Sequence, residues 1–593
     1  MAPANKIQVY DTTLRDGCQS EDVSLTLEDK LEIARRLDDL GIDYIEGGWP
    51  GSNERDAAFF TNIKRVKLRH ARIAAFGATR RAGIKSSADR NLLLVLRANT
   101  PVACVVGKTW DMHVREALRI PLQENLDILY DTIAYLKKHV DEVIFDAEHF
   151  FDGYSFNREY ALSCLKSVED AGVDLICLCD TNGGRLPHEV EAAVQNARQA
   201  LHAPLGIHCH NDCDVAVANS VAAVRNGAVQ IQGTINGFGE RCGNANLVSV
   251  IANLQLKLGY NCVPPDRLKM MQETSMLVYE LANVAPNPRQ AFVGRSAFTH
   301  KAGLHVSGIQ RNVKTYEHID PAAVGNDRRV VLSELSGRAN ILYKTREFGL
   351  NTELNKQQIE TLLDELKRLE GIGYTFDGAD ASFELLMLRT LGLATDHFNF
   401  VSFRVFDDKW HEDQAPFSEA VVVLEGPDRQ RTRTSAIGNG PVNALDSALR
   451  RALTPYYPDL ARMQLVDYKV RVLDNGAGTG ARVRVLIEST DGSRRWGTVG
   501  VSANVVEASW QALLDSVEFK LHKDQAKARK PAASVIDYPR ANGVVKSRGG
   551  SILSERQGKS SGAVNAGNGR KPTTKELKPK RAVPGSPAGI KSE

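Results

Sequence analysis

Long apolar stretches are missing from this chain of 593 residues. No run of about 18 uncharged apolar residues occurs, and the opening MAPANKIQVY has no apolar core of the kind that export signals contain. The sequence therefore predicts neither a membrane span nor secretion, and we expect a cytoplasmic protein. Because 42% of the residues are hydrophobic and 25% are charged, the chain can bury several cores, and about two to four domains are expected.

Paired cysteine motifs are absent as well. The nine cysteines are odd in number, and all of them lie in the first half of the chain. Neither Cys177-x-Cys179 nor Cys209-x3-Cys213 has the C-x2-C spacing that is typical of structural zinc sites. We therefore expect reduced thiols in or near packed strands.

Charge is distributed unevenly along the chain. The net charge is only +3, but residues 524–593 carry fifteen Lys and Arg against five Asp and Glu. This last segment is rich in Gly, Ser, Pro and Lys and poor in aromatic residues, which predicts a disordered basic tail. Such a tail could contact RNA, a membrane or an acidic partner, but a solvated appendage is the more frequent case, so neither nucleic acid nor membrane is expected as a partner.

Strand-like and helical patterns alternate through the first 266 residues. Thr26 precedes a helical run of apolar residues that Gly41 ends. The strand-like segments lie at 7–10, 42–46, 73–76, 102–106, 142–145, 173–179, 205–210 and 228–235. Eight such units within about 260 residues predict a closed (β/α)8 TIM barrel, whose parallel strands are covered by helices. An open doubly wound sheet is the alternative, but no GxGxxG motif follows the first strand.

The seventh segment, LGIHCHND, carries His208 and His210 two residues apart. Alternation along a strand points both imidazoles to one side and Cys209 to the other. Closure of the barrel brings the end of this strand beside the ends of the first and eighth, where Asp16 and Asn244 follow. Oxygen and nitrogen ligands without a thiolate suit a divalent ion such as Zn²⁺, Mn²⁺, Co²⁺ or Mg²⁺.

Asp11 is an alternative to Asp16 as the carboxylate ligand. It stands at the end of the first strand-like segment, in DTTLRDG. Its other role would be to accept hydrogen bonds from the turn after the strand. Spacing alone does not separate the two possibilities.

Three motifs closely resemble those of the acyl-CoA condensing enzymes, a family that includes the 2-isopropylmalate, homocitrate and citramalate synthases. They are LRDG with Gln19, HCHND, and GFGERCGN. The resemblance covers about residues 5–522 and includes HKAGLH at 300–305. IEGGWPGSN at 45–53 and FDAEHFFDGY at 145–154 are most similar to the citramalate branch of the family.

The resemblance implies roles for individual residues. As metal ligands it implies Asp16, His208 and His210, with Asn244 nearby or as a fourth ligand. As catalytic or substrate-binding residues it implies Arg15, Glu148, Thr181, His305 and Tyr316. Taken without the resemblance, Glu148 could equally be a solvated loop acid and His305 a histidine on a helix surface.

The expected chemistry assigns these groups separate tasks. Joining the methyl group of acetyl-CoA to a 2-oxo acid needs a metal to chelate carboxylate and ketone, a base for the methyl proton and a cation for the oxyanion. Arg15 would face the alkoxide and Thr181 would bind the substrate carboxylate. Glu148 would pair with a base, which His305 could be. Three glycines, Gly237, Gly239 and Gly243, would let the backbone approach the metal and the acetyl-CoA thioester.

The organisation expected for the whole chain is α/β. The barrel occupies 1–266, a helical linker 267–393, a C-terminal α+β regulatory or dimerisation domain 394–523, and the basic tail 524–593. In relatives the linker lies over the neighbouring subunit's barrel, so the resemblance implies a homodimer in which His305 and Tyr316 act in trans. The C-terminal part shows a β-then-α order twice. Relatives bind the end-product amino acid there, which implies isoleucine as an effector; a plain oligomerisation domain is the alternative.

The resemblance implies condensation of acetyl-CoA with pyruvate to (R)-citramalate on the isoleucine route. One alternative is 2-isopropylmalate or homocitrate synthesis from a larger 2-oxo acid. A lyase of the same barrel class is disfavoured because such enzymes generally lack the C-terminal domain, and a regulatory protein that binds nucleic acid through its tail is disfavoured by the intact ligand motifs. Cys213 and Asp214, where relatives often have Gly, and Gly47, where many have a larger residue, could alter selectivity.

Overall fold

The computed structural model describes residues 5–331, 337–350, 354–413, 415–473 and 478–529. Eight parallel strands close into a barrel in chain order, with β1 pairing both β2 and β8. The strands are β1 Gln8–Asp11, β2 Tyr44–Gly48, β3 Arg72–Ala78, β4 Val102–Lys108, β5 Glu142–Glu148, β6 Leu175–Asp180, β7 Leu205–Cys209 and β8 Gln230–Gly233. The predicted TIM barrel is confirmed, and the open doubly wound sheet is excluded.

Helices cover the outside of the barrel. Those that follow the strands are Leu27–Leu40, Glu54–Asn62, Arg90–Ala98, Leu122–Leu136, Arg158–Asp170, Pro187–Ala200, Ala216–Arg225 and Leu247–Leu258, with an additional short helix at Phe150–Phe156. The first of these helices, Leu27–Leu40, begins and ends as predicted. The Thr26 side chain accepts from the backbone N–H of Asp29, and Gly41 ends the helix in the left-handed conformation at φ 95°. Across the described ranges, no helix is both long and apolar enough to cross a membrane.

The interior of the barrel is filled by side chains. A cluster separate from the main core includes Tyr10, Tyr44, Phe76, Cys104 and Ile144, all almost inaccessible to water. A filled interior leaves room for chemistry only at the ends of the strands. All nine cysteines are free, and six of them are buried, as expected for reduced thiols in packed strands.

The linker contains five longer helices and a small sheet. The helices are Met271–Leu281, Gly303–Arg311, Arg338–Glu347, Lys356–Gly371 and Asp380–Thr390. The sheet pairs β9 Thr299–His300 with β10 Arg329–Val330 in parallel. Strands of two residues carry no periodicity, so the sheet could not be predicted from the sequence.

The C-terminal region consists of two units, each with three antiparallel strands and a helix. The first comprises β11 Asn399–Asp408, β12 Phe417–Glu425, β13 Arg431–Gly438 and the helix Pro441–Leu453; the second comprises β14 Gln464–Val472, β15 Val483–Thr490, β16 Arg495–Ser502 and the helix Val505–Arg529. The repeated β-then-α order is confirmed. The last helix continues past the predicted domain end at residue 523, and the rest of the predicted tail, 530–593, lies outside the described residues.

Candidate active site

The carboxyl ends of β1 and β7 bring three predicted metal ligands together. Asp16 Oδ2 lies 3.5 Å from His208 Nε2, and the rings of His208 and His210 are 5.2 Å apart at their centroids. Asp16, His208 and His210 can each present a ligand atom within 4.8 Å of the other two, and all three are buried. The turn after β1 aims Asp16 by hydrogen-bonding its backbone N–H to the carbonyl of Thr12 at 2.9 Å.

Unsatisfied polar atoms around this cluster fit a divalent cation. Asp16 Oδ1, His210 Nδ1 and both polar atoms of the Asn244 side chain are buried without a hydrogen bond of normal geometry. Leaving a buried polar group unpaired costs about 1–3 kcal/mol. A cation would satisfy the acceptors Asp16 Oδ1 and Asn244 Oδ1 and a ring nitrogen of His210, whereas Asn244 Nδ2 is a donor and cannot bind it. A carboxylate, two imidazoles and an amide oxygen are suitable donors for the ions predicted from the sequence.

Electrostatics hold the ligands in the protonation states that metal binding needs. Burial by itself would raise the pKa of Asp16, but Arg15, His208 and His210 outweigh it, and the net pKa lies below its ordinary value. Burial, followed by the neighbouring His208, lowers the pKa of His210 to about 4. At neutral pH the carboxylate is therefore ionised and His210 is neutral.

Asp11 has the structural role that was given as the alternative to metal binding. Its carboxylate accepts hydrogen bonds from the backbone N–H of Thr13 at 2.9 Å and from the Thr13 hydroxyl at 2.8 Å. Burial raises the pKa of Asp11 to about 7. Asp11 thus organises the turn that carries Asp16, and it does not join the ligand cluster.

A chain of buried polar groups orients His208 from behind. Its Nδ1 lies 3.1 Å from Gln232 Oε1, and Gln232 Nε2 donates to Asp146 Oδ1 at 2.9 Å. With the proton on Nδ1, His208 donates to Gln232 and keeps the lone pair of Nε2 for a metal. Neither Gln232 nor Asp146 was predicted; the sequence signal was two buried glutamines, Gln230 and Gln232, in the short strand β8.

Arg15 is fixed beside the cluster by three contacts. Its Nε donates to Glu46 Oε2 at 2.6 Å, its Nη1 lies 3.3 Å from Asp16 Oδ2, and its guanidinium lies 4.0 Å above the centre of the Phe76 ring. Burial would lower the pKa of Arg15, but Glu46 and Asp16 raise it above its ordinary value. Arg15 is therefore a permanent cation. Glu46 was missed, because the motif IEGG gives no hint that its acid faces the barrel interior.

A cavity of about 200 Å³ opens onto the ligand cluster. Its lining includes six of the predicted site residues: Arg15, Asp16, Glu148, Thr181, His208 and His210. The Glu148 carboxylate lies 2.5 Å from Lys108 Nζ, so it is a paired group and not a solvated loop acid. The Thr181 hydroxyl oxygen accepts from the backbone N–H of His149 at 2.9 Å, which leaves its own O–H free to point elsewhere.

The three predicted glycines shape the loop that presents Asn244. Gly243 has a φ of 90°, and a Cβ on it would lie 2.0 Å from the carbonyl oxygen of Gly237. That same carbonyl accepts from the backbone N–H of Asn244 at 3.1 Å. A Cβ on Gly239 would lie 2.9 Å from the Asn244 amide. None of the three glycines lines the cavity, so their approach to a thioester stays a prediction.

His305 and Tyr316 lie apart from this cavity. Their rings stack on each other with centroids 4.2 Å apart. Both side chains are exposed, Tyr316 to 46%, and neither lines the cavity of its own chain. Their predicted action in trans stays a prediction.

The three residues that depart from the family pattern, Gly47, Cys213 and Asp214, lie in different parts of the barrel. A Cβ on Gly47 would lie 2.2 Å from the Phe59 ring, so Gly47 permits close packing of the helix Glu54–Asn62 on β2. Cys213 is exposed, and Asp214 takes a positive φ of 57° in the turn after HCHND. None of the three residues lines the cavity, so the structure gives no support to an effect on selectivity.

The barrel, the linker and the C-terminal region each match a known protein family. Residues 6–278 match an HMGL-like family, 292–373 a homocitrate synthase post-HMGL domain-like family, and 377–521 a LeuA allosteric (dimerisation) domain. The (R)-citramalate synthase of Geobacter sulfurreducens is 55% identical over 88% of this chain and 98% of that protein. The (R)-citramalate synthase of Aquifex aeolicus is 52% identical over 88% and 99%. A 2-isopropylmalate synthase of Methanocaldococcus jannaschii is 31% identical over 88% and 95%.

Proposed function

The chain belongs to the citramalate synthases of the acyl-CoA condensing family, and on that premise we propose that it condenses acetyl-CoA with pyruvate to give (R)-citramalate and CoA. The observation that carries this function is identity above 50% to two (R)-citramalate synthases along almost their full length. Identity to a 2-isopropylmalate synthase is 31% over a similar span. That difference favours pyruvate over a larger 2-oxo acid.

Metal binding is assigned to Asp16, His208 and His210, with Asn244 beside them. A bound Zn²⁺, Mn²⁺, Co²⁺ or Mg²⁺ would supply Lewis acidity that polarises the ketone of the 2-oxo acid. The buried, unpaired atoms of Asp16, His210 and Asn244 support the assignment. Gln232 keeps the His208 ring in one orientation and one tautomer.

Arg15 can stabilise the negative charge that develops on the ketone oxygen during condensation. When the methyl carbon of acetyl-CoA attacks the ketone carbon of pyruvate, a C–C bond forms and the ketone electron pair moves to oxygen. Arg15 is charged, and Glu46 and Phe76 hold it in place before the reaction, so it can stabilise that oxygen without reorganisation. The Thr181 hydroxyl can donate to the pyruvate carboxylate.

Proton transfer is assigned to groups from two subunits. Glu148 lines the cavity and is oriented by Lys108. His305, supported by the Tyr316 ring, would come from the partner subunit and take the methyl proton, with Glu148 orienting it. Water then cleaves the thioester, so the net reaction consumes one water and releases CoA and (R)-citramalate.

The C-terminal region supports a homodimer regulated by an amino acid. Its match to a LeuA allosteric (dimerisation) domain covers residues 377–521. Apolar side chains of Phe406, Ile437 and Val472 are 54%, 69% and 54% exposed in the single chain. A second copy would cover such faces. We assign isoleucine as the effector, since it is the end product of the route that citramalate enters.

Thiol release from acetyl-CoA with a panel of 2-oxo acids tests the function. We expect kcat/KM for pyruvate to exceed that for 2-oxoisovalerate by roughly 10-fold to 200-fold, because a pocket shaped for a methyl group must expand to accept an isopropyl group. 2-Oxobutyrate should lie between them. Equal or better use of 2-oxoisovalerate would replace the assignment by 2-isopropylmalate synthesis. Titration with isoleucine in the same assay tests the effector.

A further inference from the structure

Four apolar side chains stand out in the otherwise polar lining of the catalytic cavity: Trp49, Phe76, Val106 and Cys179. The side chain of a 2-oxo acid must lie against such a surface, since its carboxylate and ketone belong at the charged groups. The identity of the acid therefore depends on the apolar wall. An inference about this apolar wall rests on the proposed function, because it assumes a 2-oxo acid substrate.

Trp49 differs from the other three in its origin. Phe76, Val106 and Cys179 lie on β3, β4 and β6, whereas Trp49 follows β2 in the segment IEGGWPGSN. Phe76 also supports the Arg15 guanidinium, so a change there would disturb a charged group. Trp49 is the wall residue that can be shortened with least effect on the barrel strands.

Three contacts hold Trp49 in a single position, one through its backbone and two through its indole. Its backbone N–H donates to Asp56 Oδ2 at 2.9 Å, and its Nε1 donates to Asn91 Oδ1 at 2.7 Å. Asn91 is itself fixed, since its Nδ2 donates to the carbonyl of Ala78 at 2.7 Å. The Trp49 ring meets Phe76 edge-on, with centroids 5.5 Å apart. A wall held in this way resists expansion by a bulkier substrate.

A second cavity borders the catalytic cavity at the indole. It has a volume of about 480 Å³ and shares Arg15, Gln19 and Trp49 with the catalytic cavity. Because the catalytic cavity holds only about 200 Å³, Trp49 stands, with Arg15 and Gln19, at the border between a small space and a larger one. Shortening this side chain would join the two.

We propose that Trp49 determines specificity by limiting the side chain of the 2-oxo acid to a methyl or ethyl group. The indole is the part of the wall that excludes larger side chains, and Asn91 is a positioning residue that acts through it. Removal of the indole gives a branched side chain access to the adjoining space. The charged groups that bind carboxylate and ketone stay where they are.

The test compares Trp49→Ala and Asn91→Ala with the wild-type enzyme. kcat/KM is measured for pyruvate, 2-oxobutyrate and 2-oxoisovalerate, with one metal and at one pH. In Trp49→Ala we expect the pyruvate to 2-oxoisovalerate ratio to fall at least about 10-fold, mainly because the larger acid improves. Asn91→Ala should move the ratio in the same direction but less. Trp410→Ala, which removes an indole that is 73% exposed, should leave the ratio unchanged.

Two results would overturn the proposal: an unchanged ratio in Trp49→Ala, or an equal loss for all three acids, which would indicate a role in chemistry and not in size. If Trp49→Ala does not fold by circular dichroism, Trp49→Leu keeps apolar contact with Phe76 and is judged by the same ratio. A wild-type enzyme that prefers 2-oxoisovalerate would instead contradict the proposed function. The change in ratio between variants separates the two failures.

Discussion

The catalytic end of the barrel and the linker helix Gly303–Arg311 differ in how complete they are within one chain. Asp16 and His208 are 2% and 5% exposed, and every predicted ligand has neighbours from other strands. His305 and Tyr316, at and after that helix, are exposed and contact each other. Closure of a barrel forces its strand ends together, whereas His305 and Tyr316 lie outside the cavity at those ends.

The C-terminal units, like the linker helix, leave surfaces exposed in the single chain. In β12 every second residue is buried against the helix of its own unit, while most of β11 is exposed. The second unit repeats the contrast between β15 and β14. The predicted ligand cluster is thus assembled within one chain, whereas His305, Tyr316 and the strands β11 and β14 stay largely exposed in it. Three changes test this difference.

Loss of a metal ligand should have the largest effect. We expect His208→Ala to lower kcat by roughly 1000-fold or more, because a Lewis acid stabilises the transition state by several kcal/mol. The fold should persist, since His208 is at a strand end. The measurements are thiol release, bound metal per subunit and circular dichroism. His202→Ala, which removes an exposed histidine, is the control; wild-type turnover by His208→Ala in the presence of a chelator would contradict the assignment.

Complementation between subunits tests whether the linker acts in trans. Arg15→Ala and His305→Ala should each be nearly inactive, since a lost base costs about 10²-fold to 10⁴-fold and a lost oxyanion-stabilising group about 10²-fold to 10³-fold. Co-expressed from one cell with different tags, they should recover about one quarter of wild-type activity, because half of the dimers are mixed and each has one intact site.

The control for complementation pairs two barrel variants. Arg15→Ala with Asp16→Ala leaves one defect in each barrel, so no activity should return. If Arg15→Ala with His305→Ala also stays inactive in mixed dimers, His305 serves its own barrel. If His305→Ala is active by itself, His305 has no catalytic role. Either result would remove the difference drawn here between barrel and linker.

The smallest effect is expected at Gln232. In Gln232→Leu the His208 ring loses its orienting acceptor, so metal affinity should fall about 10-fold to 100-fold. Isothermal titration of the metal-free protein measures it. Gln230→Leu is a matched control on the same strand, buried and bonded to Gln8 but touching no predicted ligand. Unchanged affinity in Gln232→Leu would show that the barrel holds His208 without help from behind.

Much of this architecture could be predicted because its signals are local. Alternating strand and helix patterns, the Thr26 cap and the Gly41 stop each depend on a few adjacent residues. His208 and His210 share a side because a strand alternates. Their meeting with Asp16 followed from barrel closure alone. The C-terminal strands are harder to predict one by one, since β13 and β14 are largely exposed, and β13 begins with arginines on one face and threonines on the other.

What only the tertiary structure decided are the contacts that depend on register and on distant partners. The pairing of β7 with β8 sets His208 opposite Gln232, and a shift of one residue would turn that glutamine away. Glu46 reaches Arg15 and Asn91 reaches Trp49 across 31 and 42 residues of chain. Local sequence does not reveal such long-range contacts, because the free energy that selects them comes from packing of the whole barrel.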